Sequence, residues 1–376
     1  MGWTFEHIDT WEAVLAPEFQ ERWLRWGAEA QNAHVFLQAP VALSWIETYR
    51  PLRDISPRVV VARKADCKVF MPLVLWRKNW KHAGCRHLTM LGSSDFDYLD
   101  PFVSTKSCHF DWKDFLESAL GYIFEVFRND FDVFELSAIR SETTGNYSGF
   151  SAQDICPYLN LEGFKEPSDF WDWMESGQRS EIRRRSRKLE SCGSTEFHIY
   201  QPKELHDAER SLQEMLVHHR LRWPGAYKAP NFHVDLLRNL LPAKLLHFSD
   251  LRVGGVPVSW RIGFTHNKRF YSYMPAFKQE FAGFSPGIIH LVKIIEMCIS
   301  DGFAIYDYLR GGENYKKQWM SGCARVYSLT QLNKTRFSTL RGLADRALSV
   351  CARKITNIAA GKRPLIKGTE DSNYVP

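Results

Sequence analysis

Residues 245–309 constrain the fold most. Apolar and β-branched runs near Leu245–Val253, Val256–Phe264 and Arg269–Met274 read as three strands. Gly254-Gly255 and His266-Asn267-Lys268 between them are residue types that suit tight hairpin turns. A helix is expected at about Ile288–Ser300, because Ile288, Leu291, Val292, Ile295, Cys298 and Ile299 recur at i, i+3, i+4, i+7 spacing. Asp301-Gly302 ends it, with Gly302 as the left-handed cap. Strands near Phe303–Leu309 and Val326–Leu332 follow. This order needs a sheet with a helix packed on it, which excludes all-α and all-β folds.

A less regular version of the same order comes earlier. Strands are expected near Arg58–Arg63 and Val69–Trp76. A helix near Trp112–Arg128 aligns Leu116, Ala119, Leu120, Ile123 and Phe127 on one face, and a strand follows at Asp132–Ala138. Between the halves, helices are expected near Phe170–Glu190 and Lys203–Arg222. The second of these buries Leu205, Ala208, Leu212, Met215, Leu216 and His219. The chain starts with helical stretches near Pro17–Asn32 and Val41–Tyr49. With 376 residues, two domains are expected. The fold class is therefore α/β (α+β), as tandem units, each a mixed twisted sheet flanked by helices. The expected divisions are 1–160, 161–333, and a basic amphipathic helix with a flexible tail over 334–376.

No run approaches the roughly 20 apolar residues of a transmembrane helix. Met1–His7 has neither a basic nor an apolar leader segment, and Glu6 argues against myristoylation after Met1-Gly2. Eight cysteines are scattered without a Cys-x-x-Cys pair or a His pair at zinc spacing. Reduced thiols, a cytoplasmic protein and no metal are the expectations. The net charge of +6 is concentrated: residues 334–367 carry nine Lys/Arg and one Asp, so the rest is near −2. A spread nucleic-acid-binding face is thus not expected. Phe337, Leu340, Leu343, Ala347, Leu348, Val350, Cys351, Ile355 and Ile358 form an apolar stripe flanked by Arg341, Arg346, Arg353 and Lys354. Such a helix suits docking on the protein body or peripheral contact with an anionic membrane face.

Phe284-Ser285-Pro286-Gly287 places small residues and a proline at a helix start, where backbone N–H groups and the helix dipole can hold an anion. The alternative is an ordinary helix start. Asp307 falls on an apolar strand face, where a carboxylate needs a partner, and Lys316 and Arg310 are near in sequence. It either organises a reaction centre or forms a buried salt bridge that pins Gly311-Gly312. A charged and aromatic cluster follows in Glu313, Tyr315, Lys316 and Trp319. Arg179, Arg183, Arg184, Arg185, Arg187 and Lys188 form a basic helix, suited to an anionic ligand or to solvent. Asp95–Asp100 is an acidic loop, and Asp111 is a good N-cap for the helix behind it.

Phe284–Gly287, the run Gly302–Trp319, the Asp95-x-Asp97-Tyr98-x-Asp100 loop, Arg183–Leu189 and His219-Arg220-Leu221-Arg222-Trp223 together resemble the GNAT-superfamily acetyltransferase-like proteins of the CelD (cellulose-biosynthesis) and FemAB-like type. The resemblance covers roughly Leu43–Leu332. It implies a tandem GNAT-like fold whose second half holds acyl-CoA, with the pyrophosphate at Gly283, Phe284, Ser285, Pro286, Gly287 and Ile288. The usual phosphate loop is Gln/Arg-x-x-Gly-x-Gly/Ala; here Gln279 stands four residues before Gly283 and the next small residue is Ser285. For an N-acyltransferase, Glu313 would be the base, Lys316 and Arg310 would serve the oxyanion and Asp307 would organise the centre. A tyrosine would protonate the leaving thiolate, with Tyr273, Tyr306 and Tyr315 available. Asp97, Tyr98, Asp100, Arg222, Trp223, Tyr315 and Trp319 would contact the acceptor, a small-molecule, saccharide or cell-envelope amine or hydroxyl. The alternatives are aminoacyl transfer from aminoacyl-tRNA, supported by the basic helix, and a non-catalytic assembly factor for exopolysaccharide synthesis.

Overall fold

The computed structural model describes residues 2–79, 84–106, 110–144, 147–224, 229–335, 337–345 and 347–348. Among these, residues up to Asp154 and from Arg325 onward form one compact unit, and Ile155–Ala324 form the other.

The first unit starts with a strand that the sequence reading did not contain, Thr4–Ile8 (β1), too short to announce itself by alternation. Helices Trp11–Leu15 (α1), Pro17–Glu29 (α2) and Ala39–Tyr49 (α3) follow. Strands Ile55–Lys64 (β2), Cys67–Arg77 (β3), Arg86–Met90 (β4) and Phe102–Ser104 (β5) lead to helix Trp112–Val126 (α4) and strand Val133–Arg140 (β6). The Asp111 side chain caps α4 by accepting from Asp114 N, as the sequence predicts. The sheet runs β1-β2-β3-β4-β6, with β5 on β3. β4 and β6 are parallel and the other pairs antiparallel, so the sheet is mixed. Large aromatic residues fill its core: Trp23, Trp45, Tyr49, Phe70 and Phe115 are all at most 1% exposed.

Strand Ser151–Asn160 (β7), most of which belongs to the second unit, was not anticipated. Helices Pro167–Trp173 (α5) and Ser176–Glu190 (α6) replace the single expected one. Strand Thr195–Ile199 (β8) and helices Leu205–Arg222 (α7) and Phe232–Leu240 (α8) come next. Leu246–Val253 (β9), Val256–His266 (β10) and Arg269–Phe277 (β11) make the expected meander. Helix Pro286–Ser300 (α9), the short strand Ile305–Asp307 (β12) and helix Asn314–Gln318 (α10) complete it. The order is β7-β12-β11-β10-β9-β8, with β11 and β12 parallel. Trp260 donates to Ser211 of α7, while its neighbour Arg261 donates to Gly287 of α9. Adjacent strand residues point to opposite faces, so α7 and α9 cover opposite sides of this sheet.

Two expectations need correction. The strand expected over Phe303–Leu309 ends at Asp307, because Tyr308 N bonds to Pro157 O and Leu309 is left-handed at φ 60°. The Gly322–Leu332 strand extends through the expected Val326–Leu332, but those residues pair antiparallel with β6 of the first unit rather than closing the second.

Residues 337–345 and 347–348 are helical. Ser338 and Asp345 are buried, and Ser338 Oγ donates to Asp132 Oδ1 at 2.8 Å. Phe337, Leu340, Leu343 and Leu348 are exposed. The rest of the expected stripe, Val350, Cys351, Ile355 and Ile358, and the tail lie outside the described residues. Among the described residues no helix is long and apolar enough to cross a membrane.

Candidate functional site

The site begins where two parallel strands separate. β11 pairs with β12 only from Arg269 to Tyr271, yet it runs on to Phe277. Among the described residues it therefore has no ladder partner on that side beyond Tyr271. A cavity of about 490 Å³ lies against Pro275, Ala276 and Phe277 at this open end. Ser285, Gly287 and Ile288 at the start of α9 line it, and so do His218, Arg222 and Trp223 at the end of α7.

The start of α9 is shaped by Ser285, a non-glycine residue held left-handed at φ 52°. Such a residue is strained unless its surroundings hold it. Arg185 of α6 does so by donating to the Ser285 hydroxyl. The amides of Ile288 and Ile289 bond back to Ser285 O at 3.0 and 3.3 Å. The first turn thus presents the helix dipole and the Gly287 backbone, rather than a row of free amides, to the cavity. A Cβ on Gly287 would touch Phe277 at 3.6 Å, so the missing side chain leaves room on the cavity side. A Cβ on Gly283 would meet nothing within 4 Å, so that glycine is not sterically required. Phe284 packs beneath Lys188, whose Nζ is 5.1 Å from the ring centroid, and Pro286 is buried.

Cations surround this helix start. Arg261 is 3% exposed and donates to Gly287 O at 2.9 Å and to Ser272 Oγ at 3.3 Å. Its Nε has no hydrogen-bond partner among the described residues. Arg222 stacks over Trp223 and Phe277, at 4.8 and 5.5 Å from the ring centroids. Desolvation lowers its pKa. His218 stacks on Trp260 at 5.5 Å. His219, one residue on, is buried against Trp223. Its burial, with the charges of His233 and Arg222, pulls its pKa down to about 4.

The structure separates the other expected residues from this cavity. Asp307 is buried and accepts from Arg269 Nη1 at 2.9 Å and from Leu309 N at 2.9 Å. Its cation is Arg269, not the expected Lys316 or Arg310, because the parallel β11–β12 register sets Tyr271 opposite Asp307 and leaves Arg269 beside it. Asp307 forms a buried salt bridge, but to Arg269 of β11 rather than to the residues around Gly311-Gly312. Lys316 is also buried, donating to Arg310 O at 2.6 Å and pairing with Glu313 at 3.0 Å. The Glu313 carboxylate would lie 2.4 Å from a Cβ on Gly311, so that glycine makes room for it. Tyr315 and Trp319 are core residues of the second unit, packed with Phe170, Tyr308 and Leu291. Tyr273 is the extra residue of a bulge, since Ile262 faces Met274 while Gly263 faces Ser272. Its ring packs on Phe264 and His233.

In the first unit, Tyr98 and Asp100 are at most 1% exposed and cannot contact an acceptor as they stand. Asp100 accepts from Arg140 Nε at 2.6 Å. Burial alone would raise its pKa, but the Arg140 and His34 charges outweigh it and hold it below the ordinary value. Asp97, just before Tyr98 in the loop, is half-buried.

The sequence reading does not contain Arg261 and His218 as site residues, and it places Arg185 only within the basic helix; Arg261 carries one local signal, a charge inside an otherwise apolar strand pattern.

A family model described as an acetyltransferase (GNAT) domain matches residues 176–317, from the start of α6 into α10. No curated protein matches the sequence. Among solved structures, FemX is similar at 10% identity and a TM-score of 0.59, over 90% of this chain and 100% of that one. A conserved protein of unknown function from Bacteroides thetaiotaomicron is similar at 12% identity and 0.54, over 88% and 100%. The C-terminal domain of a putative lysylphosphatidylglycerol synthetase from Agrobacterium fabrum is similar at 10% and 0.52, over 88% and 97%. At these identities the likeness concerns the fold.

Proposed function

We propose that the protein is an N-acyltransferase that moves an acyl group from acyl-CoA to an amine, a reading supported by the match of residues 176–317 to a GNAT acetyltransferase domain model. The observation that carries this reading is the cavity at the diverging ends of β11 and β12, closed on one side by the start of α9. A thioester arm fits along the unpaired side of β11. The helix dipole at Gly287, with Arg185, Arg222 and the buried Arg261 around it, favours the phosphates.

The chemistry follows from the same walls. The amine nitrogen attacks the thioester carbonyl, forming C–N, and the C–S bond then breaks. Backbone groups on the open side of β11 take the negative charge that develops on oxygen. His218, on the cavity wall, accepts the proton of the attacking amine and returns it to the departing thiolate. Glu313, Lys316, Arg310 and Asp307 hold the β12–α10 turn and act by positioning. The acceptor is an amine of a small molecule, saccharide or cell-envelope precursor.

A second reading, aminoacyl transfer from aminoacyl-tRNA, draws on the exposed face of α6, where Arg183, Arg184, Arg187 and Lys188 are all solvent-facing. Thermal-shift titration with CoA, acetyl-CoA and a long-chain acyl-CoA separates the two. Stabilisation by ligand mass action supports the acyl-CoA reading. No shift with any CoA species, together with tRNA binding that weakens steeply with salt, would replace it by the second.

A further inference from the structure

The first unit holds a cluster that the reaction does not use. Cys85 immediately precedes β4 and His87 lies in it, so alternate positions of an extended chain bring their side chains to one face. β6 runs parallel beside β4 and contributes Glu135. The helical segment 337–345 contributes Asp345. His87 Nε2 lies 3.1 Å from Asp345 Oδ2, and Nδ1 lies 3.6 Å from Glu135 Oε2. The Nδ1 atom is buried and makes no hydrogen bond of proper geometry. Cys85 Sγ completes the group, since one ligand atom each from Cys85, His87 and Asp345 fall within 4.8 Å of one another.

A thiol, an imidazole and a carboxylate are the donor types of four-coordinate zinc, whose ligand atoms stand roughly 3–4 Å apart at metal–ligand bonds of about 2.0–2.3 Å. We propose that Cys85, His87 and Asp345 form a zinc-binding site that clasps the helical segment 337–345 to the sheet of the first unit. Nε2, which faces Asp345, is the ligating nitrogen. Nδ1–H then points to Glu135, which orients the ring. The fourth position takes water.

The buried thiol and the two carboxylates that flank His87 supply the negative charge a Zn²⁺ ion requires, and binding would release the thiol proton to solvent. Lys78, whose charge acts on both His87 and Glu135, stays beside the cluster in either state.

The test uses the full chain, stripped of metal and titrated with Co²⁺ and then Zn²⁺. The expected result is one equivalent bound, with a thiolate-to-cobalt charge-transfer band that is lost in Cys85→Ser. Glu135→Gln should weaken metal affinity about 10-fold while keeping the band. Hydrogen exchange over residues 337–348 should slow when one equivalent of Zn²⁺ is added to the unmodified protein, a readout that stands even if Cys85→Ser does not fold. No charge-transfer band, a band that survives in Cys85→Ser, or exchange indifferent to zinc each overturns the proposal.

Discussion

Arg261 Nη2 donates to the Gly287 carbonyl at 2.9 Å, which sets a buried guanidinium directly beneath the first turn of α9. No carboxylate among the described residues forms an ion pair with it. A buried charge without a counter-charge is unfavourable by itself, and an anion at the helix start would compensate it. Arg261→Met is therefore expected to weaken CoA binding by about 10-fold, the scale of one charge-assisted contact. Calorimetric titration checks this, and an unchanged Kd would leave Arg261 a packing residue.

Gly287 and Gly283 lie in the same expected phosphate loop but differ in surroundings. A side chain at 287 enters the cavity past Phe277, whereas one at 283 enters open space. Gly287→Glu should abolish the thermal shift produced by CoA, through both bulk and charge. Gly283→Ala should leave that shift intact and change stability by no more than about 0.5 kcal/mol. Equal effects of the two substitutions would place the phosphates elsewhere.

The Asp307–Arg269 pair predicts a stability phenotype. Arg269→Ala removes the charged donor from a carboxylate that is 1% exposed, while the bond from Leu309 N–H stays. A loss of about 3 kcal/mol is expected in urea unfolding, at the low end for a broken buried pair because Arg269 is itself partly exposed. Saturating acyl-CoA should still bind. A stable variant without turnover would instead give this pair a part in the chemistry.

Buried histidines set a pH dependence. Burial, with the charges of His233 and Arg222, lowers the pKa of His219 to about 4, and burial lowers that of His247 to about 3. The unfolded chain, with histidine near 6.5, binds the protons that the folded chain refuses. Their contribution to stability is therefore complete above pH of about 6.5 and is lost as pH falls, toward about 4 for His219 and about 3 for His247. For His219 the full loss is about 3 kcal/mol. Urea midpoints at pH 7 and 5 should differ, and His219→Gln should narrow the difference. An unaltered slope would show that other groups govern it.

His218 supplies a kinetic test. His218→Gln removes the proton acceptor on the cavity wall but no contact to the start of α9. kcat should fall about 100-fold with the CoA-induced thermal shift retained. Loss of the thermal shift, or an unchanged kcat, would remove His218 from the proposed role.

Much of the second unit was legible along the chain because its signals are local. Gly254, Gly255, Asn267 and Lys268 all take positive φ at the hairpin turns, and Gly302 takes φ 70° after α9. The apolar stripe of α9 is buried as its spacing predicts. β7 was missed because its first four residues are exposed and carry no apolar alternation. The Phe303–Leu309 strand was overlong because its apolar run continues through Tyr308 and Leu309 after the pairing has changed partner.

The sequence by itself determined the α/β class, the β9–β11 meander and the helix start at Pro286-Gly287, since period, turn chemistry and capping act over a few neighbouring residues. Tertiary structure alone decided which charges meet. Asp307 found Arg269 across a strand pair rather than its neighbours Arg310 and Lys316. Tyr98 and Asp100 went into a core instead of a cleft. Cys85 and His87 met Asp345 from the far end of the chain. Such partnerships depend on register and on which faces pack together, and a buried charge takes the counter-charge that the fold brings within about 4 Å, however distant it is in sequence.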